Sequence, residues 1–141
     1  MELNEHYRAS VMTALGGFQL LEEHLKNYIE VYYKSVRHLL NSRLHFDYSR
    51  SDIDDAPLGR LISIFAKVCS NTNLVNELRL LVKERNKAAH SALLCLYKTD
   101  TTDHKFHEMI RLNHKMTDKV SDTLSELNRE FDAMQKSVFR D

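Results

Sequence analysis

From Phe106 to Val138 the chain repeats apolar residues at alternating steps of four and three, with the polar residues Asn113 and Thr117 at two of these positions and no glycine or proline in the stretch. Because an α-helix has 3.6 residues per turn, residues at these steps lie on one face, so the pattern predicts a long amphipathic helix. A second stretch, from about Leu3 to Leu40, has the same spacing. The alternation is typical of helices that pack at a shallow angle. Two helices of this length restrict the chain to an α-helical bundle.

Two shorter helices are predicted between the long ones. Residues 41–56 form a polar loop rich in Ser and Asp, and Pro57 lies where a second helix can begin. A polar break then separates the second helix from a third, which runs to about Tyr97. Asp103 is predicted to cap the fourth helix. The sequence thus predicts an all-α, four-helix bundle with long first and last helices, in one domain over residues 1–141.

The charge balance limits the class of partner. The chain has 20 Lys and Arg against 20 Asp and Glu, so its net charge is zero. This argues against binding nucleic acid or membranes by bulk electrostatics, but it leaves a local basic groove possible. The N-terminal segment is charged, and no apolar run approaches the roughly 20 residues of a membrane span. We therefore expect a cytoplasmic protein, with Cys69 and Cys95 as reduced thiols, although a disulfide between them stays open.

Two charged residues interrupt the predicted core stripes. The predicted apolar stripe of the third helix consists of Leu74, Val75, Leu78, Leu81, Val82, Ala89, Ala92, Leu93 and Leu96, and Arg85 falls in the middle of it. Glu22 falls on the stripe of the first helix. Burying an unpaired ion costs several kcal/mol, so the sequence predicts that the two side chains form a bidentate pair. Two alternatives stay open: the pair only fixes helix register, or Arg85 faces a second subunit.

The neighbours of Arg85 suggest chemistry. Asn86 and His90 share a helix face, with Arg79 and Lys83 along the same edge. An amide, an imidazole and several cations together can bind a phosphodiester and transfer protons near neutral pH. Arg85 and His90, however, are five residues apart, about 140° around a regular helix. They converge only through a helix irregularity, a long reach from Arg85 or a second copy of the chain.

Three segments resemble one protein family. "RNKAAH" at 85–90 resembles the R-x(4–6)-H motif of the HEPN superfamily, including a polar residue directly after the arginine. "PLGRLI" at 57–62 is similar to the start of the second helix in several HEPN groups, and "GFQLLEEHLKNYI" at 17–29 resembles their first helix. The order and lengths of the four predicted helices also fit, so the resemblance covers essentially the whole chain.

The resemblance implies an endoribonuclease that needs neither metal nor cofactor. Such proteins form two-fold homodimers in which two motifs line one cleft, which would bring Arg85 and His90 together. His90 would act as general base or acid on the ribose 2′-hydroxyl, and Arg85 would stabilise the charge of the phosphorane. Asn86 would position the phosphate of the RNA substrate. Cleavage of this kind leaves a 2′,3′-cyclic phosphate.

The resemblance also implies supporting residues and a biological setting. Lys83 and Arg79 would attract the RNA backbone, and Glu22 would hold Arg85. The family acts in toxin–antitoxin pairs, phage defence and RNA processing, often with an antitoxin or a nucleotidyltransferase as protein partner. Some toxin members have a tyrosine, modified by the partner, two residues after the histidine. That position is Ala92 here, so control by this modification is not implied.

Functions from further classes stay open. The superfamily includes members that serve as interaction or dimerisation modules without cleaving RNA, and the same cations could hold a nucleotide. His104 and His107 could share a metal ion with Asp103 or Glu108, but the sequence contains no second ligand pair at matching spacing. We therefore expect no metal site.

Overall fold

The computed structural model describes residues 2–97 and 101–139, without the side chains of residues 96 and 97, and its regular elements are helical. Its four α-helices and one 3₁₀ turn are α1 (Leu3–Leu39), the 3₁₀ turn (Arg50–Asp52), α2 (Leu58–Val68), α3 (Thr72–Tyr97) and α4 (Asp103–Val138). The predicted all-α class and the long first and last helices are confirmed. No helix in the described ranges is both long and apolar enough to cross a bilayer.

The two long helices, α1 and α4, lie side by side and run in the same direction. Near their N-terminal ends the rings of Tyr7 and Phe106 are 5.6 Å apart, and further along the rings of Tyr28 and Phe131 are 6.3 Å apart. Between these contacts, Asn113 Nδ2 donates a buried hydrogen bond of 3.0 Å to Ser10 Oγ. From one contact to the next the residue numbers increase in both helices, so the two helices are parallel.

A loop, α2 and α3 connect the end of α1 to the start of α4. Tyr28 of α1 packs edge-on against Phe65 of α2, with ring centroids 4.9 Å apart. On α3, Glu84 accepts a 2.9 Å bond from Lys119, whereas Cys95, later in the helix, lies by Met109, earlier in α4. Hence α3 is antiparallel to α4. The loop before α2 has already returned to the middle of α1, because Lys26 Nζ donates a 2.7 Å bond to the carbonyl oxygen of Asp54 there, and α3 completes the return.

The apolar core is concentrated at the end of the bundle where α2 lies. Leucine, isoleucine, valine and phenylalanine side chains from all four helices are almost fully buried there: Phe18, Leu21, Leu25, Ile29, Leu58, Leu61, Ile62, Phe65, Leu74, Leu78, Val120 and Leu127. At the other end α2 is absent, and the buried residues of α1 are Tyr7, Ser10 and Ala14. Burial of large side chains therefore stabilises one end of the bundle more than the other.

Single residues mark where α2, α3 and α4 begin. Pro57 directly precedes α2 as predicted, and Asn71 Oδ1 accepts a 3.1 Å bond from the backbone N–H of Leu74 at the start of α3. The predicted cap of α4 is wrong by one residue. Thr102, not Asp103, accepts the bond from the backbone N–H of Lys105, at 3.2 Å. Asp103 is instead the first helical residue, where its charge suits the helix dipole.

Gly17 lies at a close crossing of α1 and α4. A Cβ atom built on Gly17 would be 3.1 Å from Val120 Cγ1, whereas one built on Gly16 would meet nothing within 4 Å. The helix α1 continues through both glycines without a break. The Gly16-Gly17 pair therefore contains one residue that the packing uses and one that only weakens the helix.

We predict opposite tendencies for alanine at these two positions. Gly16→Ala should raise the free energy of unfolding by about 0.4–1 kcal/mol, because alanine loses less conformational entropy in a helix. Gly17→Ala should raise the free energy of unfolding by clearly less than this, or lower it, because Val120 must move by a few tenths of an ångström. Urea unfolding of the two variants measures the difference. Equal gains would contradict the close crossing.

Candidate active site on the third helix

Helix α3 is packed into the core only along its first half. Leu74, Val75, Leu78 and Leu81 are buried, but no side chain from Val82 to Cys95 is. The sequence predicted that the apolar stripe continues through Ala89 and Leu93. This prediction is wrong for the second half, where Ala89 is exposed and Leu93 is 56% exposed. The side chain of Leu96 lies outside the described residues.

The physical reason is the size of the inward-facing residues. Ala88 and Ala92, the positions of this half-helix nearest the core side, are only partly buried. Their methyl groups cannot fill the space above α1 and α4, and a space of about 310 Å³ remains on each side of this part of α3. The motif residues therefore lie on a helix segment that its own bundle covers incompletely.

Arg85 contacts Glu22, but not in the predicted geometry. The distance from Arg85 Nη1 to Glu22 Oε1 is 4.0 Å, and the two side chains are 28% and 34% exposed. The prediction of a bidentate pair in the core is therefore wrong. Because neither group is fully removed from water, neither needs a close partner to offset its desolvation.

A second contact orients the guanidinium of Arg85. Its Nη2 donates a 3.2 Å hydrogen bond to Oδ1 of Asn86, the next residue in the helix. Asn86 and His90 are both exposed, and the imidazole of His90 makes no hydrogen bond to another described residue. Both groups are therefore accessible to a ligand from solvent.

The structure does not bring Arg85 and His90 together within one chain. The helix α3 is continuous from Thr72 to Tyr97, so the two residues differ by about 140° in direction and about 7.5 Å along the axis. Arg85 faces α1, where Glu22 lies, whereas His90 points outward. Because the helix is continuous, a helix irregularity does not bring the two residues together. A long reach from Arg85 and a second copy of the chain remain.

The supporting cations lie on the outward face. Arg79 and Lys83 are exposed, and with Asn86 and His90 they form the outer surface of α3. We refer to these four residues as the crest of α3. The structure thus places an imidazole, an amide and two cations on one open surface, with Arg85 at its edge.

An apolar groove lies beside Arg85, between α1 and α3. Its walls include Val11 and Leu15 of α1 and Ala89 and Leu93 of α3, with the Arg85 side chain among them. Leu15 in its wall is 38% exposed. Contiguous exposed apolar surface of this kind is typical of protein interaction sites.

A set of lysines on the other side of α3 was not predicted from the sequence. Lys87 of α3 and Lys115 and Lys119 of α4 line the second space, between α3 and α4. The four-residue spacing of Lys115 and Lys119 places both on one helix face, and this signal is present in the sequence. Their proximity to Lys87 is not, because it depends on how α3 packs against α4.

The remaining candidate groups form no site. Both cysteines are free thiols, as predicted. Within the described ranges no three His, Cys, Asp or Glu side chains, His104 and His107 included, are grouped so that they could hold a metal ion. The groups that the structure places on α3 are an imidazole, an amide and cations, which are suited to acid–base and electrostatic chemistry.

Comparisons of the chain with protein-family models, with curated protein sequences and with solved structures find no match. Any function assigned to the chain therefore depends on the motif, its resemblance and the geometry of α3.

We predict that the Glu22–Arg85 pair contributes little to stability. A double-mutant cycle with Glu22→Gln, Arg85→Ala and the double variant should give a coupling energy of about 0–0.5 kcal/mol, as for other partly exposed pairs. Urea unfolding of the four proteins measures this value. A coupling of about 2 kcal/mol or more would show that the pair closes into the tight geometry that the sequence predicted.

Proposed function

We propose that the protein is a metal-independent endoribonuclease of HEPN type whose active cleft forms between two copies of the chain. The observation that carries this proposal is the open second half of α3, in which Arg85, Asn86 and His90 follow the R-x4-H pattern. Arg85 and His90 point in different directions on a continuous helix. A second copy of the chain across a two-fold axis is the simplest way to place an Arg85 beside each His90.

The apolar groove supports the proposed dimer. Leu15 and Leu93 flank Arg85 and are 38% and 56% exposed, so a second copy that covers them would bury apolar surface next to the catalytic groups. Removing water from around Arg85 would also strengthen its interaction with a phosphate. Dimerisation would thus assemble the cleft and lower its dielectric constant in one step.

The proposed reaction is an in-line transfer within the RNA. His90 of one copy takes the proton of a ribose 2′-hydroxyl, and the resulting oxygen forms a bond to the adjacent phosphorus. The bond from phosphorus to the 5′-oxygen of the next nucleotide breaks, and that oxygen receives a proton from water. Arg85 of the second copy stabilises the negative charge on the phosphorane, and Asn86 holds a non-bridging oxygen through its amide N–H. The products are a 2′,3′-cyclic phosphate and a 5′-hydroxyl.

We further propose that this activity serves as a toxin, phage-defence or RNA-processing component with an antitoxin or nucleotidyltransferase partner, as the resemblance implies. A second candidate function is an interaction module without catalysis. The exposed leucines on α3, Leu80, Leu93 and Leu94, favour it, because apolar groups on a helix surface are what a partner protein would cover.

The proposed activity is tested by cleavage of a mixed single-stranded RNA in EDTA. Wild type should produce cyclic phosphate ends, and His90→Ala should lower the rate by about 10²–10⁴-fold, since it removes the general base. Arg85→Ala should lower it by about 10²–10³-fold. His104→Ala, which removes an exposed histidine elsewhere, should cleave as wild type does.

Mixing the two inactive variants tests the shared cleft. If each site takes Arg85 from one copy and His90 from the other, random assortment of His90→Ala with Arg85→Ala restores roughly a quarter of wild-type activity. Circular dichroism and sedimentation should first show that each variant is folded and has the oligomeric state of wild type. An inert wild type on diverse RNAs, or variants that cleave at the wild-type rate, would refute the proposal and favour the interaction module.

A further inference from the structure

The charges of the chain are unevenly distributed although they sum to zero. Residues 79–119 contain nine Lys and Arg against five Asp and Glu, whereas the rest of the chain contains eleven against fifteen. Four of the eight histidines also fall in this segment. The segment comprises the second part of α3 and the first half of α4, which lie next to each other in the fold. This stretch of sequence is therefore net positive, and the rest of the chain is net negative.

Four of these basic residues line the groove between α3 and α4. Lys87, Lys115 and Lys119 line a space of about 310 Å³. A second space of about 290 Å³ continues along the same two helices, shares Ser91 and Met109 with the first, and includes Lys105. Lys105 and Lys119 are fourteen residues apart on α4, which corresponds to about 21 Å of groove. We call this continuous feature the lysine groove.

The lysines of this groove differ in how far they are neutralised. Lys119 Nζ donates a 2.9 Å bond to Glu84 Oε1 and is partly compensated by it. For Lys87 and Lys115, no carboxylate oxygen of a described residue lies within 4.0 Å. Two cations on facing helices, neither of them paired with a carboxylate of the described residues, suit a ligand that carries several negative charges at regular spacing.

The groove leads to the proposed catalytic histidine. Lys87 precedes His90 by three residues on α3, so the Cβ atoms of the two are neighbours at about 5–6 Å. A phosphate held by Lys87 would therefore place the adjoining nucleotide within reach of the imidazole. Arg79 and Lys83, which the sequence predicted for this task, lie along the outward crest with His90, outside the lysine groove.

We propose that the lysine groove binds the phosphate backbone of single-stranded RNA and directs it to His90. This inference rests on the proposed ribonuclease function for its ligand class, but the binding it claims is independent of cleavage. Lysines contact phosphates as point charges without reading bases, so the groove confers affinity and orientation with little sequence preference.

The test measures binding without cleavage. A fluorescent single-stranded RNA of mixed sequence with 2′-O-methyl riboses lacks the nucleophilic hydroxyl, so wild type can be titrated with it and followed by anisotropy. Lys87→Gln/Lys115→Gln should weaken binding by roughly three- to tenfold. Between about 50 and 200 mM salt, the slope of log K against log salt concentration should become shallower by about 1.4, since each single-strand phosphate contact contributes about 0.7.

A matched variant controls for net charge. Lys67→Gln/Lys136→Gln removes the same two charges from exposed positions on α2 and at the end of α4, outside the groove, and should bind as wild type does. Equal weakening by the two double variants would mean that net charge alone attracts RNA and would overturn the inference. The inference would also be overturned if the Lys87→Gln/Lys115→Gln variant bound RNA as tightly as wild type, or if wild type did not bind RNA.

One variant should change binding in the opposite direction. Glu84→Gln removes the carboxylate that competes with phosphate for Lys119, so RNA binding should tighten and its salt dependence should steepen by about 0.7. Glu5→Gln, an exposed carboxylate in the first turn of α1, should have no such effect. Unchanged or weaker binding by Glu84→Gln would exclude Lys119 from the site.

The same proteins assayed on ordinary RNA separate this inference from the proposed function. If wild type cleaves RNA but its binding does not depend on Lys87 and Lys115, the inference that the lysine groove binds RNA is refuted and the proposed nuclease function is retained. A wild type that binds through these lysines without cleaving would refute the nuclease and retain the groove.

Discussion

The parallel packing of α1 against α4 is the constraint on which the rest of the structure depends. The buried bond from Asn113 to Ser10 fixes the register of the two helices, and Ser10 in turn donates to the carbonyl oxygen of Tyr7 at 2.7 Å. The contact between Gly17 and Val120 sets how closely they approach. Because an unpaired polar group in this position would cost free energy, alternative registers that separate Ser10 from Asn113 are disfavoured.

Two parallel helices of 37 and 36 residues require the chain to travel back along their whole length. The loop between α1 and α2 makes the first part of this return, and the 26-residue helix α3 makes the rest. This loop is held to α1 by Arg50, whose guanidinium donates hydrogen bonds to Glu23 at 2.6 Å and to Asn27 at 2.8 Å. The large side chains of α2 then fill the core at one end, and α3 reaches the other end with small ones. Because the side chains at this second end are small, the bundle covers the motif at Arg85, Asn86 and His90 incompletely.

The proposed functions use the two sides of the exposed half of α3 differently. On the side of α1 the groove is apolar and contains Arg85, which suits a second copy of the chain. On the side of α4 the groove is lined with lysines, which suits RNA. His90 lies on the crest between them, where a substrate from one side would meet a subunit from the other. A half-helix that packed fully into its own bundle could not offer both surfaces.

The sequence by itself determined the class of the fold and the length of its helices. The spacing of apolar residues and the scarcity of Gly and Pro are local properties, and α1 and α4 follow from them within about one residue. The motif at Arg85, Asn86 and His90 was also visible, because it lies within about one turn and a half of one helix. Local patterns of this kind do not depend on what packs against them.

Only the tertiary structure decided which parts of those patterns are buried. The stripe through Ala89 and Leu93 has the periodicity of a core face, yet it is open because α2 ends before it and Ala88 and Ala92 leave space beneath it. For the same reason Glu22 and Arg85 meet at 4.0 Å in partial contact with water and not as a buried pair. The lysine groove joins residues from two helices, so no single stretch of sequence contains it. Burial and proximity depend on which helix lies opposite, and helical periodicity does not specify this.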